Sequence, residues 1–126
     1  MAFGDIGGVI TELIITCGTP GEGEVALTKG DAVSLTGPYT VDHAAAAEDP
    51  VFGQALADVA ANGAPVPVKV RGVCIFPYTG AAPAVDGASG VVASDTPGAV
   101  KAPLSGGGRG VNLAVDETAG LVHVLL

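Results

Sequence analysis

Apolar and polar positions alternate most cleanly between Val66 and Arg71. Val66, Val68 and Val70 interleave there with Pro67, Lys69 and Arg71. A period of two marks a strand with one buried face. The apolar run continues past Gly72 to Phe76, but Val73 and Ile75 point to the face opposite the earlier valines. Gly72 is therefore expected either as a bulge or as the start of a stretch buried on both faces. Burial on both faces would suit a strand at a subunit contact.

The same reading predicts the other elements. Residues 1–8 form a flexible arm, and Val9 to Thr16 a first strand. Val25 to Gly37 reads as two strands around a tight turn at Lys29-Gly30-Asp31, followed by a short strand at Tyr39 to Val41. Ala44 to Ala47 could form one helical turn, too short to hold a helix alone. Val91 to Lys101 reads as a hairpin, and Leu104 to Gly110 as a flexible loop. Val111 to Val115 and Leu121 to Leu126 make a terminal hairpin across Asp116 to Gly120. Strict alternation places Val33, Leu35, Val70, Leu113 and Val115 in the core. About eight to ten short, evenly spaced strands indicate one all-β domain over residues 9–126, a small barrel or sandwich.

Composition adjusts this picture. Ala and Val dominate the apolar residues, there is no Trp, and only 4% of residues are aromatic. Such a core gains less per residue than one built on Phe and Leu, so a lone domain of 126 residues is expected to be marginal and to gain from self-association. Gly and Pro, at 20 and 9 residues, are about twice as frequent as usual and read as turns. The net charge is −8, and Lys29, Lys69, Arg71, Lys101 and Arg109 form no run. Nucleic-acid binding needs clustered cations, so nucleic acid is not an expected partner. Val9 to Cys17 is interrupted by Glu12 and too short to cross a membrane, and no basic, apolar leader precedes it. Synthesis and use without secretion, and no membrane partner, are the expectation. Cys17 and Cys74 sit in apolar runs and read as buried reduced thiols, with a disulfide between them as the alternative.

The chemistry-bearing residues are dispersed. His43 and His123 lack the further ligands, at suitable spacing, that a metal needs. Cys74 and His123 could form a nucleophile pair, but their strand context favours inert packing. Gly106 to Gly110 shares only its glycines with a phosphate loop: no Lys-Ser/Thr follows, and no helix begins there. Glu48/Asp49 and Asp116/Glu117 lie beside turns, where carboxylates are solvated rather than tuned for acid–base work. No catalytic, cofactor or metal site is expected.

Several segments taken in order carry a resemblance. They are Lys29-Gly-Asp-Ala-Val, Pro50-Val-Phe-Gly-Gln-Ala-Leu-Ala-Asp, Val66-Pro-Val-Lys-Val-Arg-Gly-Val, Gly90-Val-Val-Ala-Ser and the closing apolar strand. Together they span residues 25–126, and in this order the chain resembles the small head decoration, or capsid cement, proteins of tailed bacteriophages. The resemblance implies a β-tulip type of barrel and a homotrimer. It also implies attachment to the major capsid protein on the outer surface of an expanded head, after synthesis in the host cytoplasm. Within that frame Phe3, Ile6, Val9 and Ile10 are the candidate contacts to capsid or neighbour. The second reading is a carbohydrate- or host-binding β-module displayed on the virion. It is weakened by the small aromatic set of Phe3, Tyr39, Phe52, Phe76 and Tyr78.

Overall fold

The computed structural model describes residues 12–126; the expected arm 1–8 and the candidate contacts Phe3, Ile6, Val9 and Ile10 lie outside the described residues. The strands are β1 (Leu13–Cys17), β2 (Ala32–Gly37), β3 (Thr40–Asp42), β4 (Gly53–Ala55), β5 (Val66–Arg71), β6 (Val73–Pro77), β7 (Val92–Ala93), β8 (Val100–Lys101), β9 (Val111–Asp116) and β10 (Leu121–Leu125). No helix occurs among the described residues, so the all-β class holds, and Ala44 to Ala47 is irregular chain. The expected strand at Val25 shrinks to a single antiparallel bridge between Leu27 and Val59.

β5 behaves as its alternation dictates. Val66, Val68 and Val70 are buried, while Pro67 and Lys69 are half-buried and Arg71 is exposed. The strand sits inside a five-stranded sheet of order β1-β5-β4-β2-β3. Its valines pack with Cys17, Val25, Leu27, Val33, Val41, Ala55 and Val59. Each buried Val is worth roughly 1.5–3 kcal/mol of transfer free energy, so this row is the backbone of the first core.

Gly72 is neither a bulge nor a centre of two-sided burial. It adopts φ +116°, a conformation closed to most side chains, and there the chain leaves one sheet for another. Inward parity survives the corner, because Cys74 and Phe76 are buried on β6 while Val73 and Ile75 face outward. β6 joins a three-stranded sheet of order β6-β10-β9, in which Cys74 lies opposite Val124 and Phe76 opposite Val122. A second core forms around Phe76 from Ala32, Val51, Cys74, Val91, Val100, Val122, Val124 and Leu126. The hairpin expected at Val91 to Lys101 is present as β7 paired with β8.

The barrel expectation needs correction. The edge strands β1 and β3 approach each other only at Gly18, whose N–H donates to Tyr39 O at 2.7 Å and whose carbonyl accepts from Val41 N at 2.9 Å. One bridge does not make a ladder, so the five-stranded sheet is curled but open.

Two core assignments fail for related reasons. Leu35 shares the inward parity of Val33 but is 52% exposed, because it lies where the curled sheet has no lid. Leu113 is displaced by a bulge: His123 pairs with Ala114 and Val124 with Asn112, so Leu113 is the extra residue. The parity of β9 therefore flips. Asn112 takes the buried place, Leu113 turns outward, and Val115 is half-buried against the second core. Val33 and Val70 are buried as expected.

Candidate functional site

The open side of the curled sheet leaves a groove of about 870 Å3. Its floor is Leu35, Val51, Phe52 and Val92, and its rim carries Thr36, Glu48, Asp49, Gly108 and Arg109. A smaller cavity of about 250 Å3 continues from it, lined by Ile15, Cys17, Leu35, Pro38, Tyr39 and Phe52. Leu35 and Phe52 line both, so the two form one channel. Ile15 and Phe52 are half-buried and pack on the first core, while Val51 on the floor belongs to the second, so the channel follows the seam between the two.

Backbone strain concentrates on its rim. Among the described residues only Tyr39 and Glu48 combine a side chain with positive φ, at 49° and 73°. Tyr39 lines the small cavity and Glu48 the large one. Such conformations cost about 1–3 kcal/mol each and persist where the surroundings enforce them, often at ligand clamps. Glu48 is held firmly: its carboxylate accepts from Leu104 N at 2.9 Å and pairs with Lys101. The Leu104 hydrogen bond first, and the Lys101 bond second, hold its carboxyl below the usual range.

Arg109 closes the other side. The segment Leu104 to Gly110, expected to be a flexible loop, is anchored at this residue. Its guanidinium donates to Val51 O at 3.1 Å, Phe52 O at 2.8 Å and Val70 O at 2.8 Å. Gly108 beside it is needed for close approach, since a Cβ there would stand 2.5 Å from Val91 N and O. No carboxylate pairs with Arg109 among the described residues. Burial is the main influence lowering its pKa, with the Arg71 charge second. The groove thus has an apolar floor and a fixed cation that, among the described residues, is met by carbonyl dipoles.

A second surface lies on the outer face of the three-stranded sheet. Ile75, Leu113 and Leu125 are each more than two-fifths exposed there. Val73, Leu121 and His123 are half-buried beside them. A sheet apolar on both faces is short of a covering layer.

The other candidate groups do not converge. Cys74 faces the second core while the neighbouring strand's His123 faces outward, so they form no pair. Burial pushes the Cys74 thiol up to about 11, the opposite of an activated nucleophile. Cys17 and Cys74 are both free and buried, one in each core. His43 Nε2 lies 2.7 Å from Asp31 Oδ2, and that carboxylate oxygen also accepts from Thr28 N at 3.0 Å within the Lys29-Gly30-Asp31 turn. No cluster of three or more His, Cys, Asp or Glu residues suited to a metal occurs among the described residues. No helix among them is long and apolar enough to cross a membrane. Sequence reasoning missed Arg109 and the groove, whose lining comes from β2, β7 and segments 45–52 and 107–109, scattered along the chain. Compared with protein-family models and with curated proteins, the chain matches none.

Proposed function

We propose that this chain is a structural protein of a tailed-phage head. In this reading it binds the major capsid protein on the outer surface of the expanded shell, as a homotrimer, and stabilises that shell without catalysis. The observation that carries the reading is the outer face of β6, β10 and β9, where Ile75, Leu113 and Leu125 are exposed on a sheet already buried on its other side. A second copy is its natural cover. The chain carries −8, so copies repel across most of their surfaces, yet among the described residues of these three strands the one carboxylate on this face is Asp116 at one end. Three copies can turn this face towards a shared axis with little like-charge contact. The motif order across residues 25–126 supplies the capsid part of the proposal.

The test has two arms. Light scattering of the purified protein should give three chains per particle, and Ile75→Asp should shift it towards one. In purified phage heads the protein should be present in amounts comparable with the major capsid protein. A few copies per virion would instead favour the host-binding module, and a trimer indifferent to Ile75→Asp would remove this face from the interface.

A further inference from the structure

We propose that Asn62 is a site of self-modification: Asn62-Gly63 cyclises with loss of ammonia, and the carboxylate that replaces the amide releases loop 18–24 from the turn at 61–64. The inference goes beyond the functional reading above and does not rest on it.

The sequence supplies the reactive pair. A backbone nitrogen attacks the side-chain carbonyl carbon of a preceding Asn most readily when its own residue has no side chain to obstruct the ring. Asn62 precedes Gly63, whereas the chain's other asparagine, Asn112, precedes Leu113. Asn112 is 2% exposed, but Asn62 and Gly63 are both exposed, so water reaches them. The space beside Gly63 is open, since a Cβ there would meet nothing within 4 Å. The step needs only water as co-reactant. Gly63 N bonds to Asn62 Cγ, the Cγ–Nδ2 bond breaks, and Nδ2 leaves as ammonia with the proton from Gly63 N. Water then opens the succinimide at one carbonyl to give aspartate, or at the other to give isoaspartate.

The closed fold restrains both ends of this reaction. Gly63 N donates to Pro20 O at 3.0 Å, so the attacking nitrogen is engaged. Asn62 Nδ2 donates to Pro20 O at 3.2 Å and to Gly23 O at 2.6 Å, so the leaving group is engaged as well. Thr19 Oγ1, donating to Ala64 O at 2.9 Å, fastens the same two segments. Reaction therefore waits on local opening. Afterwards the patch cannot close as before. The amide nitrogen offers two donors, whereas an ionised carboxylate only accepts. Its oxygens would face Pro20 O and Gly23 O, acceptor against acceptor, and one negative charge is added to the net −8. The loop so released runs from Gly18, which bridges to Thr40 of β3, towards Leu27, which bridges to Val59. The modification thus acts where the curled sheet is fastened.

The experiment incubates the full chain in mildly alkaline buffer, folded or in denaturant. Peptide mass spectrometry reads the amide-to-carboxylate mass gain at each asparagine. Asn62 should convert in denaturant well ahead of Asn112, and in the folded protein at a measurable rate at least about tenfold lower. Hydrogen exchange of Asn62→Asp reads the consequence. Gly63 N–H and residues 18–24 should exchange at least about tenfold faster than in the parent, with β9 and β10 unchanged. Several results would each overturn the proposal. They are a folded chain that converts as fast as the unfolded one or not at all over prolonged storage, and conversion in denaturant that spares Asn62. An Asn62→Asp protein whose loop exchanges like the parent's, or whose exchange rises equally throughout, would do the same.

Discussion

The two cores solve the same problem with different materials. The first, under the five-stranded sheet, is built of Val, Ala, Leu and Cys and has no fully buried aromatic. The second, under the three-stranded sheet, is arranged around Phe76, which is completely buried. At the groove the first leaves Leu35 exposed and Phe52 half-buried, whereas the second contributes only the buried Val51 to its floor but is apolar outside. Small β-branched residues make a regular row along β5, but they are too short to fill the mouth of a curled sheet. One large ring can fill a centre and let its sheet stay small. Each half is therefore incomplete, one inside its curl and the other on its back.

The sharpest way to break this comparison is to damage each core in turn. Val70→Asp in the first and Phe76→Ala in the second should each cost about 3–5 kcal/mol, the former as an unpaired buried charge and the latter as a cavity. Denaturant unfolding should show one transition in both variants, shifted to lower midpoint. Two separated transitions would mean that the sheets fold as independent units. Gly72→Ala tests the joint itself. With φ at +116° and the Glu12 Cγ only 3.2 Å from the new methyl, it should cost about 1–3 kcal/mol. An unchanged melting temperature would show that the corner relaxes freely.

The thiols compare the halves without any mutation. Burial raises the pKa of both Cys17 and Cys74, so each reacts mainly after local opening. Cys17 ends an edge strand beside the channel, and Cys74 lies in the closed core. Mass-spectrometric labelling in the native state at pH 8 should modify Cys17 at least about tenfold faster, the ratio expected from a 1.4 kcal/mol difference in opening. Equal rates would show that both cores open together. The smallest effect belongs to Leu113→Ser. In protein dilute enough to prevent self-association it should change stability by less than about 0.5 kcal/mol, because the bulge has already put that side chain outside. A loss of several kcal/mol would restore Leu113 to the core.

These contrasts also mark what the residue pattern can convey. The valines of β5 and the hairpin of β9 and β10 were legible because local alternation sets them. Alternation puts Leu35 on the correct face, but no local signal tells whether a face is covered. Leu113 was misplaced because one extra residue flips parity, and nothing in Val111 to Asp116 announces it. The glycines around Arg109 suggested mobility. In the fold Gly108 allows close packing instead, and the arginine holds three carbonyls from two distant segments. Such long-range anchors leave no periodic trace.

The pairing of β1 has a mechanical consequence. β1 lies antiparallel to β5 across five pairs, with a register shift between Leu13 and Ile14 and the Glu12–Lys69 ion pair at its leading end. A pull on Leu13 along the strand axis loads those rungs side by side, so they must rupture together. A pull across the axis would open them one at a time at far lower force. Load arriving along the chain from residues before Glu12 therefore meets the five-stranded sheet in its stiffest direction, and a sideways load finds its weakest.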